Sequence, residues 1–365
     1  MFYPLILLAI SQFGKKNQLE QKLPAMPKVT LFIPVYNEED IISQKIKNSL
    51  SLNYPQDLLE IVVVSDASTD HTHEILNPYI ATKGIKIFVN ERNEGKNVLI
   101  NKYVQKTMGD IIVFTDANSM FSSDSINNIV RWFSNPQIGC VGGRLVYQKG
   151  KSSTAKGEGF YFKYENLIRK LEGRKGHMVG ANGAIYAIRR KLFIPVPSHV
   201  PNDFFHPLSA LKRNYLSVFD NNAVAFEKPT ESGKEEFDRR VRIVSRSIGA
   251  LIEVNRQFGV FKGRGWFNII SHKILRWFIF PILLLIFILN LFLLESPVYF
   301  VLFILQTTFY LMGIGGFLLD KAGLKFKLFF IPYYFLLINL AAITGIYRYF
   351  MGERVITWQS ASTTR

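Results

Sequence analysis

The chain has 365 residues, with 44 Lys and Arg against 28 Asp and Glu, a formal net charge of +16 and one cysteine. A lone Cys140 excludes an internal disulfide framework and any metal centre built on several thiolates. The charge points to an anionic partner, and the concentration of apolar residues beyond 274 favours a lipid surface and a phosphate-bearing substrate over nucleic acid.

The apolar stretch 2–10 is shorter than the ~20 residues that cross a bilayer. It reads as a truncated transmembrane helix in preference to a half-inserted anchor or a signal-peptide core. Lys15, Lys16 and Lys22 behind it place the next part of the chain on the cytoplasmic side. VTLFIPV (29–35) is the first strand signal, and Asn37 to Asp40 supply an N-cap residue and acids for a helix carrying Ile42, Ile46 and Leu50. LEIVVVS (59–65) predicts a second strand, leading into Asp66–Asp70 and another helix. IKIFVN (85–90) predicts a third, followed by NEGKN (93–97) and a helix over 98–107. Strands alternating with helical patterns argue for βαβ units and a mainly parallel sheet.

The stretch IIVFTDANSM (111–120) organises the rest. Its uncharged start reads as a strand buried on both faces, so Asp116 falls at the carboxyl edge, where open α/β sheets place their ligands. Asp116 and Asn118 can present oxygens to one hard cation, or the same residues form a plain turn with Asn118 or Ser119 capping the next helix. Asp66, Asp70, Lys96 and Asp116 all end strands, and carboxylates gathered there call for a cation or a basic ligand.

Beyond residue 137 a strand (138–147) precedes the loose stretch 149–159 and an amphipathic run over 160–171. GANGAIYAIRR (180–190) sets small residues before a strand, which lets a ligand approach the backbone. Asp203, among Pro and Phe side chains, has the surroundings of a general base with a raised pKa, or else caps a helix together with Asn202. A helix over 235–254 places Arg239, Arg242 and Arg246 on one face, fit for a pyrophosphate or a lipid headgroup, or for a solvated interfacial face. Three apolar spans come next, at about 277–294, 297–319 and 328–350. Lys321, Lys325 and Lys327 mark the loop between the last two as cytoplasmic, and counting on from it puts the tail outside, unless one segment is re-entrant or interfacial. The expected division is a partial anchor and linker (1–27), an α/β domain (28–270), an interfacial helix with about three transmembrane helices (271–350) and a tail (351–365).

The stretches FIPVYNEE, VVSDASTD, NEGKN, FTDANS, GANGAIYAIRR, PNDFF and RRVRI together resemble a membrane-bound family 2 glycosyltransferase. By pattern the resemblance is to bacterial cellulose, hyaluronan and poly-N-acetylglucosamine synthases, and it covers residues 28–350. It implies a GT-A fold, a nucleotide sugar (UDP-linked) as donor, a growing glycan or a polyprenyl-linked acceptor, and Mg²⁺ or Mn²⁺. It also implies a multi-pass protein of the inner membrane with its catalytic domain in the cytoplasm, and partner subunits for export. Under it, Pro34, Val35, Tyr36, Asn37, Glu38, Asp66 and Ser68 line the nucleotide, with Lys96 and Ala117 near it. Asp116 and Asn118 hold the metal in place of the family's DxD motif. Gly180, Ala181, Asn182, Gly183 and Asp203 face the acceptor, with Asp203 as base, and Arg239 and Arg242 stand for the Gln and Arg of QxxRW. The departures are Asn118 for the second Asp, Asn202-Asp203 for a fuller acidic motif, and Arg239 and Ile243 for Gln and Trp. The last touches processivity more than sugar transfer. A catalytically silent synthase subunit is the non-enzymatic alternative.

Overall fold

The computed structural model describes residues 2–12, 26–150, 152–259, 265–324 and 327–353. Lys15, Lys16, Lys22, Lys325 and the tail from 354, on which the topology reading drew, lie outside the described residues.

Among the described residues eight strands form one sheet: β1 (Val29–Val35), β2 (Leu59–Ser65), β3 (Ile85–Val89), β4 (Ile111–Phe114), β5 (Met120–Phe121), β6 (Ile138–Tyr147), β7 (Tyr186–Arg189) and β8 (Leu216–Glu227). Their order is β3-β2-β1-β4-β7-β6-β8-β5. The half built from β3, β2, β1 and β4 is parallel, as the βαβ reading expects. Then β7 runs antiparallel to both β4 and β6, β8 pairs parallel with β6, and β5 closes the edge antiparallel. The apolar runs are buried on both faces because side chains alternate along a strand. Leu31, Ile33, Ile61, Val63 and Val113 enter one core, while Phe32, Val62, Val64, Ile112 and Phe114 enter the other.

Among the described residues up to Phe258 the α-helices are α1 (Phe2–Gln12), α2 (Ile42–Leu50), α3 (Thr72–Leu76), α4 (Lys96–Tyr103), α5 (Ser125–Val130), α6 (Ser153–Gly173), α7 (Asn202–Lys212) and α8 (Gly233–Phe258). Several departures from the sequence reading have local causes. Asn37 caps nothing: it sits at φ 52 with its amide exchanging hydrogen bonds with Thr69, and α2 starts five residues on. Neither Asn118 nor Ser119 caps a helix, because β5 intervenes before α5. The stretch 149–159 is not loose throughout, since α6 starts at Ser153 with Ser152 Oγ accepting from Ala155 N at 3.0 Å.

Among the described residues two helices, Pro297–Lys321 and Lys327–Phe350, are long and apolar enough to cross a membrane, with mean hydropathy 1.7 and 1.8. The expected first span differs: Ile279–Leu291 is short, and it joins the helical segment Trp266–Trp277 through a 60° bend, so the pair counts as at most one broken span. The helix Lys327–Phe350 docks on α8 and α6 through small residues. A Cβ on Gly345 would lie 3.0 Å from the Val244 Cβ, and one on Gly157 would meet the Tyr334 ring. Helix α1 docks on α6, where Leu7 joins Ile168 and Leu171 and the Tyr3 hydroxyl donates to Glu172 at 2.7 Å.

Candidate functional site

The loop ends of the parallel half converge because one carboxylate organises them. Asp66, buried just past β2, accepts from the backbone N–H groups of Glu94 (2.9 Å) and Gly95 (2.7 Å). Gly95 sits at φ 88, where a side chain would be strained, and its turn starts α4 with Lys96 first. The Lys96 ammonium then pairs with Asp116 at the end of β4. Asn97 fastens the next position by donating to the carbonyls of Pro197 (2.8 Å) and Val200 (2.7 Å), in the loop that leads to Asp203.

Asp203 lies in the first turn of α7, and its side chain caps no helix. Its Oδ2 accepts from Gly183 N at 2.9 Å and its carbonyl from Ala181 N at 2.9 Å, which fixes α7 onto the 180–183 run. Behind it Asn202 donates to the Tyr186 hydroxyl at 2.6 Å, and the Tyr186 ring stacks on Phe114 of β4. The point that a Cβ on Gly183 would occupy lies 3.3 Å from Asp116 Oδ2, 3.6 Å from Asp203 Oδ2 and 3.8 Å from Lys96 Nζ. Three charged groups from three strand and helix ends thus meet at one glycine.

They line a cavity of about 280 Å³ together with Gly180–Gly183, Arg239, Arg242 and Arg246. Burial raises the Asp203 carboxyl above its ordinary 3.8, with Asp116 adding to the rise and Lys96 and Arg169 opposing it. Burial lowers Arg246 to about 10, and Arg242 beside it pushes the same way. Arg239 is held on all three nitrogens, by Glu236 (2.8 Å from Nε), by the Tyr147 hydroxyl (3.1 Å from Nη1) and by Glu158. It therefore braces the wall, whereas Arg242 and Arg246 follow it on the same face of α8.

The other expected nucleotide contacts lie at the ends of β1 and β2, outside this cavity. Asn37 N donates to Ser68 Oγ at 3.0 Å and Glu38 N to Thr72 Oγ1 at 2.8 Å, so the two loops are laced together. Val35 and Ala117 turn their side chains into the core, leaving only backbone to face a ligand there; Pro34 is buried in β1 and Tyr36 half-buried beyond it. Asn118 is half-buried in the turn after β4 and does not line the cavity.

Sequence reasoning missed the groups that support this turn. Lys45 of α2 is fully buried, donates to Thr115 Oγ1 at 2.9 Å and to the Ser119 carbonyl, and lies 4.5 Å over the Phe121 ring. Glu227 accepts from Ser119 Oγ. Burial brings both groups to about 7: it lowers Lys45, against the pull of Asp116 and Glu227, and raises Glu227, with Asp116 adding to the rise. A cation on the buried stripe with Ile42 and Ile46 was the available signal.

Among the described residues no three carboxylates, histidines or cysteines gather into a metal cage. Asp116 still offers a hard oxygen beside Gly183, and divalent ions at phosphate sites are commonly held by one or two carboxylates with the substrate's phosphates completing the shell. The donor set fits an ion of that kind.

Residues 30–194 match the family model for Glycosyl transferase family 2. A beta-monoglucosyldiacylglycerol synthase of Nostoc sp. is 30% identical over 146 residues, which are 39% of this chain and 31% of that protein. An N-acetylglucosaminyltransferase of Azorhizobium caulinodans is 24% identical over 219 residues, 56% of this chain and 55% of its own. The chain thus spans about a third to a half of these curated relatives. Among solved structures, a mannosyltransferase from Pyrobaculum calidifontis in complex with GDP-Man and Mn²⁺ shares the fold, with TM-score 0.73 at 20% identity over 96% of this chain and 95% of that one. The family model covers the parallel half of the sheet and the loops that carry Lys96, Asp116 and Gly183, so residues 30–194 are a glycosyltransferase family 2 domain, in a chain whose architecture is of the GT-A kind.

Proposed function

We propose that the chain is an inverting glycosyltransferase that moves a sugar from a nucleotide sugar to a glycan or lipid-linked acceptor at a membrane. The single observation that carries this is the meeting of Asp116, Asp203 and Lys96 around Gly183. Asp203, raised by burial and oriented by Gly183 N, takes the acceptor hydroxyl proton. The acceptor oxygen attacks the anomeric carbon while the bond to the diphosphate breaks, so one displacement inverts the centre. Lys96 and Arg242 face the negative charge that develops on the leaving group, and Arg239 holds α8 in place for them. A divalent ion, Mg²⁺ or Mn²⁺, bound to Asp116 would further stabilise that charge. Pro34 to Glu38, Asp66 and Ser68 form the nucleotide side, Asp66 by shaping the turn before Lys96.

UDP is the proposed nucleotide, on the family resemblance, and a GDP-linked sugar is the alternative that the archaeal mannosyltransferase in complex with GDP-Man brings forward. The two long apolar helices support a multi-pass membrane protein. The family resemblance puts its catalytic domain, residues 28–270, on the cytoplasmic side. A second reading, transfer of a single sugar without processive extension, is favoured by the Arg239 ion pairs and by Ile243 at the position of the family's Trp. The test is nucleoside-diphosphate release by the reconstituted protein from a panel of UDP- and GDP-sugars, with product length and anomeric configuration read by mass spectrometry and NMR. Release that Asp116→Asn and Asp203→Asn abolish supports the reading; no release from any donor, or release untouched by both substitutions, overturns it.

A further inference from the structure

Lys96, Lys273 and five arginines line the cavity, and several of their donors have no protein partner among the described residues. Arg169 of α6 is only 6% exposed, yet its Nε and Nη1 meet no hydrogen-bond acceptor, and Nη2 alone approaches Glu165 at 3.4 Å. Arg246 is anchored by Nη2 donating to the carbonyls of Ser198 (3.2 Å) and Val200 (2.9 Å), and its buried Nε is likewise unmatched. Lys273 joins no ion pair among the described residues; its ammonium lies 5.5 Å over the Phe204 ring, and its Cε is 3.7 Å from the Cβ point on Gly180. Buried guanidinium donors without acceptors are unfavourable unless a ligand supplies the oxygens.

Position separates this cluster from the donor groups. The run Gly180–Gly183 crosses the cavity wall, with Asp116 and Lys96 beside Gly183 at one end and Lys273 and Phe204 beside Gly180 at the other. Asp203 lies within electrostatic reach of both Arg169 and Arg246. Glu165, the other carboxylate nearby, already accepts from His272 (3.2 Å) and Arg276. Lys273 belongs to the segment Trp266–Trp277, which bends into the apolar helix Ile279–Leu291. Two guanidiniums and an ammonium from three elements suit a tetrahedral oxyanion better than a sugar hydroxyl.

We propose that Arg169, Arg246 and Lys273 form a phosphate site for the acceptor, beside Asp203 and at the membrane end of the cavity. This deepens the proposed function and rests on it for the word acceptor. The phosphate belongs to a polyprenyl phosphate or to a soluble sugar phosphate, chemistries that the site treats alike at the headgroup.

The test is binding by the full chain in zwitterionic nanodiscs, without donor: undecaprenyl phosphate, a hexose 1-phosphate and diacylglycerol, each titrated by calorimetry. The expected result is that phosphate ligands bind, that diacylglycerol does not, and that Arg169→Gln and Lys273→Gln each weaken phosphate binding at least tenfold. Arg169→Lys should restore part of it, and nucleotide-sugar affinity should stay within twofold in every variant. Tighter binding of the lipid than of the hexose phosphate identifies a lipid-borne phosphate, and equal binding a headgroup site. The proposal is overturned if no phosphate ligand binds, if both Gln variants bind it like wild type, or if nucleoside diphosphate competes with it and loses affinity in the same variants. Failure of nucleoside-diphosphate release in the donor panel would refute the enzymatic reading and leave this binding result standing on its own.

Discussion

Gly183→Ala isolates the meeting point of the charged groups, because it adds one methyl at a known place. That methyl would sit 3.3 Å from Asp116 Oδ2, 3.6 Å from Asp203 Oδ2 and 3.8 Å from Lys96 Nζ. None of these is an overlap that forces the backbone to move. Gly183 also has none of the left-handed φ values found at other glycines, so alanine is conformationally acceptable there. The backbone change alone stabilises by about 0.4–1 kcal/mol through the unfolded state. The tight carboxylate contact offsets some of this, so the thermal midpoint should stay close to wild type. Catalysis should respond in the opposite sense. The methyl occupies the gap between the two carboxylates, where the proposed reaction brings the acceptor oxygen to the anomeric carbon, and a misplacement of ~1 Å there costs roughly 10²-fold. That is ~2.7 kcal/mol of transition-state stabilisation. The assay is kcat/KM for nucleoside-diphosphate release beside a melt in the same detergent. A variant within threefold of wild type would place the chemistry elsewhere in the fold.

Asp203→Asn should lower kcat by about 10²–10⁴-fold, the range for losing a general base. Because burial raises the wild-type carboxyl above its ordinary 3.8, kcat/KM should fall as pH drops through that raised value, and the acid limb should be missing from the residual rate of the variant. Chelation with EDTA should stop release, with Mn²⁺ or Mg²⁺ restoring it; full activity in EDTA would remove the ion from the mechanism. Lys45, lowered from 10.5 to about 7, should make the wild type gain stability as pH rises from ~7 to ~10.5, by up to ~5 kcal/mol at ~1.36 kcal/mol per unit. Glu227, raised from 4.5 to about 7, runs the other way and only below that window. Lys45→Met should lose the alkaline gain in denaturant titrations at pH 7 and 9.5, and an unchanged pH difference would refute the burial argument.

The sheet was legible where both faces of a strand are buried, since an uninterrupted apolar run carries its own signature. Residues 29–35, 59–65 and 111–114 were found to within a residue for that reason. The start of α6 was hidden because Gly157 and Gly159 read as loop, and the use of Gly157 is tertiary: it admits the Tyr334 ring from a helix far along the chain. The 60° bend before Ile279 was equally invisible in an apolar stretch whose composition does not change there. Strand ends announced Asp116 and Lys96, because charge beside a buried run is conspicuous. Arg169 and Glu227 were not announced, because a single charge inside a helix or strand pattern looks like a solvated residue until its neighbours are known.

Helix α8 explains why the charged cavity and the long apolar helix Lys327–Phe350 are coupled. Arg239, Arg240, Arg242 and Arg246 all line the cavity, and Arg240 also donates to the Tyr334 hydroxyl of the helix Lys327–Phe350. There Glu236 accepts from Arg240 at 2.7 Å and from the Tyr334 hydroxyl at 2.6 Å, while the same carboxylate receives Arg239. One buried carboxylate therefore fixes the cavity wall and the apolar helix to each other. Glu236→Ala would leave Arg240 without its carboxylate and Arg239 with Glu158 alone, at a site where breaking a buried pair costs about 3–5 kcal/mol. The loss should appear twice, as a lower melting temperature and as a cavity arginine out of place. Glu236→Gln keeps the hydrogen-bond acceptor and removes the charge. If it matched wild type in both readouts, hydrogen-bond geometry and not charge would be what ties the cavity to the apolar helix.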